Sequence, residues 1–186
     1  MLERAKAIVG RCRVRLGTAL LLNRADVHQA GIETYCGFDS GPKNGADLLA
    51  SLGPTLIVHA GFDPDYVAGA GGAPSLHPEI LRALVDTGAS SSGIDASVAK
   101  HLKLPLIDRR EVSGVHGRKE VDIYLAQVHV PSLGFTIHGE FSGVDMIAGG
   151  EPHHVLIGRS FLRTFTMIYE GTTGSVTLRS TEGRPS

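Results

Sequence analysis

Tryptophan is absent from the 186-residue sequence, and aromatic residues make up only 5% of it. Apolar residues still reach 42%, so a core must be filled mainly by Val, Leu, Ile and Ala. Only two cysteines occur, Cys12 and Cys36, and their spacing matches neither a disulfide framework nor a metal-binding motif. These shortages exclude a disulfide-rich scaffold, and we expect two free thiols.

The sequence also lacks an excess of charge and a long apolar run. Eighteen basic residues against 19 acidic ones give a formal net charge of −1, which does not favour binding to nucleic acid. No apolar run approaches the roughly 20 residues of a membrane helix. The short run at residues 16–22 is followed by Asn23 and Arg24 rather than by a small-residue cleavage site. We therefore expect neither a nucleic-acid nor a membrane partner, and a cytoplasmic location.

Glycine and proline are plentiful, at 24 and nine residues, which favours short strands joined by tight turns. Ile94, Val98 and Leu102 recur at helical spacing and predict one helix that ends near Leu104 and Pro105. Strands are predicted at residues 55–62, 80–85, 111–112, 121–125, 136–141, 155–157, 165–169 and 175–178. The pattern predicts a mostly β fold, a closed antiparallel β-barrel with one or two short helices.

The N-terminal residues differ in character from the rest. Residues 1–52 show no sustained periodicity, and glycines interrupt them repeatedly. We expect an N-terminal extension there, with one helix near residues 2–22 plus loops. Three roles are compatible with this extension: a regulatory arm, a self-processed propeptide or a tail. The globular domain is expected at residues 53–180, followed by a C-terminal tail at 181–186.

Asp86 directly follows the apolar strand predicted at residues 80–85 and precedes Thr87 and Gly88. A carboxylate at the end of a buried strand is costly unless it is paired or used. Gly88 permits a backbone conformation and a close approach of amides that a Cβ would prevent, and the Thr87 hydroxyl can hold the loop. These three residues alone are a weak signal, because an Asp-Gly turn can also close a hairpin.

A second motif strengthens the interpretation of Asp86. Val-Leu-Ile-Gly-Arg at residues 155–159 follows the helix and a polar, glycine-bearing hairpin at residues 113–117. From about residue 55 to residue 178, this ordered set resembles the retropepsin-like aspartic proteases, which are the retroviral proteases and their cellular relatives. The resemblance implies that family's barrel and an aspartic endopeptidase that needs no cofactor and no metal.

The resemblance also implies roles for the residues around Asp86. Asp86 matches the catalytic aspartate, and Thr87 matches the threonine that hydrogen-bonds across the dimer beneath the two carboxylates. Gly88 matches the glycine whose backbone lies beside the substrate, and Ala89 completes this supporting loop. The family's flap, which closes over a peptide, corresponds to Ser113, Gly114, Val115, His116 and Gly117.

The second motif matches the loop that flanks the catalytic loop. Ile157 and Gly158 correspond to its apolar pair, and Arg159 begins the helix after it. Viral members carry an acidic residue shortly after Asp-Thr-Gly that pairs with the arginine equivalent to Arg159. Here residues 89–92 read Ala-Ser-Ser-Ser. Arg159 must therefore have another partner, and the dimer contacts need not copy the viral ones.

Aspartic-protease chemistry needs two carboxylates that share one proton, because two like charges in close contact cannot both ionise. Asp39, within Asp-Ser-Gly, is a possible second carboxylate, but no apolar strand precedes it and Pro42 follows soon after. The segment between Asp39 and Asp86 is also too short for a complete lobe. A second copy of the chain must then supply the other carboxylate, in a homodimer that acts on a peptide or protein substrate. Because the family dimerises through terminal strands, residues 175–178 are expected in the interface.

Two other interpretations remain in view. A catalytically idle fold of the same type would serve as a peptide-binding or dimerisation module. A plain β-barrel with a chance Asp-Thr-Gly would be a monomer. His153 and His154 suggest a metal, but neighbours on an extended chain point to opposite sides, so no metal site is expected.

Overall fold

The computed structural model describes residues 33–38, 44–70, 72–114 and 117–180. Its strands are β1 Glu33–Tyr35, β2 Thr55–Gly61, β3 Leu81–Val85, β4 Gly93–Asp95, β5 Leu106–Gly114, β6 Gly117–Val130, β7 Phe135–Val144, β8 Val155–Ile157, β9 Thr166–Glu170 and β10 Ser175–Arg179. The helices are α1 Gly45–Leu52, α2 Ala96–His101 and α3 Arg159–Leu162. The prediction of a mostly β fold is confirmed, with three short helices in the described residues where one or two were expected.

Seven strands form the larger sheet, in the order β2-β3-β8-β4-β7-β6-β5, and β2 also pairs with β6. The sheet therefore returns on itself as a ring of strands. It is mixed rather than antiparallel, because β3 pairs with β8 and β4 pairs with β7 in parallel. Parallel neighbours need long crossover connections. The chain between β3 and β8 and the chain between β4 and β7 are both long enough to provide them.

The remaining strands form a small antiparallel sheet in the order β1-β10-β9. Glu33 of β1 lies opposite Arg179 of β10, and Thr166 of β9 lies opposite the same arginine. Both edges of β10 are thus occupied within the chain. The expectation that residues 175–178 form part of a dimer interface stays a prediction, and any such contact would use a face of β10 rather than its edges.

The core lies inside the ring and beneath the small sheet. On β2, buried residues alternate with half-buried ones, so Leu56, Val58 and Ala60 point inward. Cys36 and Leu49 join the same hydrophobic cluster, although both belong to the predicted extension. Residues 33–52 are therefore packed on this core where the structure describes them, while the boundary at residue 53 stays a prediction. No helix among the described residues is long and apolar enough to cross a membrane.

The helix predicted from Ile94 begins two residues later than its apolar pattern indicated. Ile94 lies in β4, and Asp95 is the N-cap of α2, because its Oδ1 accepts hydrogen bonds from the Ser97 and Val98 amides at 2.9 and 3.4 Å. An aspartate at this position satisfies amides that have no partner within the helix. The Asp95 Oδ2 also accepts the Ile147 amide at 2.9 Å, which fixes the turn after β7.

Candidate active site

Asp86 lies immediately after β3, with its side chain only partly buried. Its amide donates to the Ile157 carbonyl at 2.9 Å. The Gly88 amide donates to Asp86 Oδ1 at 2.7 Å. A Cβ at position 88 would lie 3.0 Å from that oxygen, so a larger residue there would crowd the carboxylate. Among the described residues, no cation forms an ion pair with Asp86, so its carboxylate remains available to a substrate or to a second carboxylate.

The parallel pairing of β3 and β8 brings the two sequence motifs together. Val85 lies opposite Ile157, so both strands end at the same edge of the sheet. Beyond that edge the Arg159 amide donates to the Ala89 carbonyl at 2.9 Å, and the Ser160 amide donates to the Ser90 carbonyl at 3.1 Å. The loop after Asp86 is therefore held by backbone hydrogen bonds to the start of α3.

Gly158 lies between these contacts, where two backbone segments touch. A Cβ there would lie 2.4 Å from the Ser91 carbonyl oxygen and 3.1 Å from the Ala89 carbonyl oxygen. Such distances are far below van der Waals contact, so only glycine fits. The Gly158 amide donates to Ser92 Oγ at 3.2 Å in a buried environment.

Ser92 is a site residue that sequence reasoning missed. It is 5% exposed, whereas Ser90 and Ser91 are exposed. Its carbonyl also accepts the Ser142 amide of β7, at 3.4 Å. In the sequence, the serine run is notable only because it lacks an acidic residue. The position of Ser92 next to Gly93, the first residue of β4, is the one local sign that the third serine turns inward.

Arg159 has the partner that the sequence left undefined. Its Nη1 donates to the Thr87 carbonyl at 2.8 Å and to the Gly88 carbonyl at 2.7 Å. Backbone carbonyls of the Asp86 loop are thus the partners of this guanidinium. A guanidinium that bonds two consecutive carbonyls fixes the direction of both peptide groups, and with them the turn that carries Asp86 and Gly88.

The predicted flap residues lie at the end of the hairpin formed by β5 and β6. Ser113 lies opposite Arg118 and Gly114 lies opposite Gly117, while Val115 and His116 fall outside the described residues. Arg110 of this hairpin pairs with Glu140 of β7 and lowers the pKa of that carboxyl through their hydrogen bond. Within the described residues no hydrogen bond links the hairpin to the Asp86 loop, so the flap role stays a prediction.

His153 and His154 have separate partners. The Nε2 of His153 lies 3.0 Å from Thr55 Oγ1, and the Arg82 amide donates to Nδ1 of His154 at 3.1 Å. Burial lowers the pKa of both imidazoles. Each ring therefore serves a structural contact. Asp39, the rejected second carboxylate, lies outside the described residues.

Comparison with known proteins gives a family match and several similar solved structures, two of which are described here. Residues 77–161 match the family model described as aspartyl protease. An EIAV protease in complex with the inhibitor HBY-793 is similar at 20% identity and a TM-score of 0.39, over 59% of this chain and 85% of that one. The solution structure of the Simian Foamy Virus (mac) protease is similar at 16% identity and a TM-score of 0.36, over 59% and 91%. No curated protein matches the chain.

Proposed function

We propose that this chain, whose residues 77–161 match the aspartyl protease family model, is an aspartic endopeptidase that works as a homodimer. The observation that carries the proposal is the Asp86 carboxylate. It stands at the end of a core strand, accepts one amide hydrogen bond, and has no ion pair in the described part of the chain. The loop around it is held by Gly158 and Arg159, so the carboxylate is accessible on a fixed support.

The proposed reaction uses Asp86 of both subunits. Two carboxylates in contact share one proton, because two negative charges so close together repel each other and only one of the two groups ionises. The ionised carboxylate removes a proton from a water molecule held between them, and the water attacks the peptide carbonyl. The protonated carboxyl donates its proton to the carbonyl oxygen, so the carbonyl carbon becomes a gem-diol. The C–N bond then breaks as the carboxyl that took the water's proton gives it to the amine nitrogen, and a gem-diol hydroxyl returns a proton to the other carboxylate.

One chain supplies only half of this arrangement. The described residues contain a single Asp-Thr-Gly sequence, at 86–88. We infer that Thr87 contacts the partner subunit beneath the two carboxylates and that residues 113–117 of each subunit close over the peptide. The closed barrel of the retropepsin type belongs to this proposal, and it is supported by the pairing of β2 with β6. The cytoplasmic location stays a prediction.

Casein digestion tests the proposal. The wild-type chain is incubated with casein in mild acid, and the cut sites are identified by mass spectrometry. Asp86→Asn should abolish cleavage but remain folded, because the asparagine oxygen can still accept the Gly88 amide. Asp65→Asn, in an exposed loop, is the matched control and should cut like the wild type. A folded wild-type dimer that cuts nothing would favour the idle binding module, and cleavage by Asp86→Asn would refute the site.

A further inference from the structure

Glu79 lies in the segment 62–80, between β2 and β3, and three histidines contact it. His59 of β2 donates from Nδ1 to the Glu79 carbonyl at 3.0 Å, since a carbonyl can only accept. The Glu79 amide donates to His77 Nδ1 at 3.4 Å. His101 is the last residue of α2, and its Nε2 lies 3.6 Å from Glu79 Oε2. The backbone of Glu79 is thus fixed by two rings, and its carboxylate lies beside the end of α2.

Two exposed rings converge on the same carboxylate oxygen. His77 Nδ1 lies 3.9 Å from Glu79 Oε2, the oxygen that His101 also approaches. The His77 and His101 rings meet edge to face, with their centroids 6.5 Å apart. Glu79 is the only carboxylate within ion-pair distance of either ring in the described part of the chain. Both imidazoles therefore share one anion.

A fourth histidine near this carboxylate, His154, behaves differently. The Arg82 amide donates to His154 Nδ1 at 3.1 Å, so the neutral ring carries its proton on Nε2. Burial lowers the pKa of His154, the Arg82 charge lowers it further, and the charges of Glu79 and Asp95 oppose the lowering. His154 therefore stays neutral to lower pH than an ordinary imidazole, which leaves the Glu79 carboxylate to the two exposed rings.

The contacts of Glu79 change when the exposed rings take up a proton. Neutral His77 accepts the Glu79 amide at Nδ1 and has no proton there to give to the carboxylate. A protonated imidazole donates from both nitrogens, so His77 and His101 would both face the carboxylate as cations. In model peptides histidine takes up a proton below about pH 6.5, whereas glutamic acid ionises above about pH 4.3. Opposite charges therefore meet at Glu79 between these two values.

We propose that His77, Glu79 and His101 form a pH-dependent clasp that holds the segment 62–80 against the end of α2 in mild acid and releases it near neutral pH. Among the described residues, the His101 contact is the only ion pair or hydrogen bond between this segment and α2. The start of the segment is held by Gln127, which bonds the Asp63 amide and carbonyl at 2.6 and 2.8 Å. Because a glutamine does not titrate, only the end of the segment near β3 responds to pH.

The clasp opposes the effect of the buried histidines. Burial lowers the pKa of His153, so this ring costs stability as the pH falls. An ion pair that forms when a histidine takes up its proton has the opposite sign. Its contribution is present below the histidine range, is lost as the pH rises through that range, and is lost again once Glu79 itself is protonated. The clasp is thus closed in the mild acid in which the proposed peptidase is assayed, although it does not depend on that function.

Hydrogen exchange of residues 75–80 tests the clasp, with each variant compared with the wild type at the same pH. Glu79→Gln removes the charge and keeps the backbone contacts. The side chains of Glu79, His77 and His101 are 42%, 58% and 68% exposed, so the effect is that of a surface ion pair. At about pH 5.5, exchange in Glu79→Gln should be about two- to fivefold faster than in the wild type. At about pH 8 the two should be equal, because the rings are then neutral. Glu120→Gln, which removes the charge of an exposed glutamate on β6, is the matched control and should match the wild type at both pH values.

His101→Asn tests the contact to α2. At about pH 5.5 it should speed exchange of residues 75–80 as Glu79→Gln does. The double variant should exchange no faster than Glu79→Gln alone, since both changes break the same contact. About 1 M NaCl should remove the difference between the wild type and Glu79→Gln, because salt screens exposed charges.

Each outcome supports or overturns the clasp. Faster exchange in Glu79→Gln at the lower pH alone supports it. Equal exchange in Glu79→Gln and the wild type at both pH values would overturn it, and so would an equal difference at both, which would indicate a contact that needs no added proton. Additive effects of Glu79→Gln and His101→Asn would show that the two residues act separately and would also overturn it. None of these results depends on peptidase activity, so the clasp and the proposed function fail independently.

Discussion

Replacing Ser92 by alanine removes the hydroxyl that joins the loop after Asp86 to Gly158. The Gly158 amide would then remain buried without the acceptor it has at 3.2 Å. An unsatisfied buried donor costs about 1–3 kcal/mol. For a chain of this size we expect the melting temperature to fall by about 2–12 °C. Ser91→Ala is the matched control, since it removes a neighbouring hydroxyl that is exposed and should change stability by less than about 0.5 kcal/mol.

Ser92→Ala should also slow the proposed reaction. Gly158 lies between Ile157, which accepts the Asp86 amide, and Arg159, which bonds the Thr87 and Gly88 carbonyls. Freeing Gly158 lets this support move, and a small displacement of a catalytic group costs about tenfold to a hundredfold in rate. We expect kcat to fall by that factor while KM changes little, because Ser92 is buried beneath the loop.

Two measurements separate these effects. Thermal unfolding of Ser92→Ala and Ser91→Ala gives the cost of the hydrogen bond without any assay of activity. Hydrogen exchange of the Gly158 amide should be faster in Ser92→Ala alone. Equal melting temperatures and equal exchange in both variants would refute the role of Ser92, whatever the peptidase does.

The dimer, Arg159 and His153 each give one further prediction. Wild type is mixed with an equal amount of Asp86→Asn, and mass tags confirm that the subunits exchange. About half of the activity should remain, because only a quarter of the dimers in a doubled population then consist of two wild-type chains. Unchanged activity would show that one chain suffices. Arg159→Met should lower kcat, because it removes the support of the Thr87 and Gly88 carbonyls. Arg163→Met is the control, since Arg163 is an exposed arginine one turn further along the chain, and it should leave kcat unchanged. Equal kcat values in the two variants would contradict this role of Arg159. Because burial lowers the pKa of His153 below its ordinary 6.5, the unfolded chain binds the proton first, so stability should fall as the pH drops below about 6.5. Melting temperatures at about pH 8 and about pH 5.5 should differ less in His153→Gln than in the wild type; an equal difference would show that other groups cause the loss.

The sequence by itself located eight of the ten described strands, all except β1 and β4, and the position of the candidate site. Alternating apolar residues mark the strands because successive side chains of a strand face opposite sides. A carboxylate after a buried strand, followed by glycine, stands out because burial makes such a charge costly. Asp86 and the 155–159 motif are therefore recognisable from the order of residues alone. β1 and α1 are not, since segments this short carry too little periodicity to be recognised.

Only the tertiary structure decided which groups meet. The parallel pairing of β3 with β8 joins residues about 70 positions apart, and no local pattern encodes such a pairing, because it depends on how the intervening strands are placed. The same is true of the carbonyls bound by Arg159, of the buried Ser92 among exposed serines, and of β10, which has neighbours on both sides. Every residue carries a backbone carbonyl, and every strand has two edges, so the sequence does not mark which of them are used. A sequence can therefore show which side chains are available, whereas the packed chain decides which backbone groups they reach.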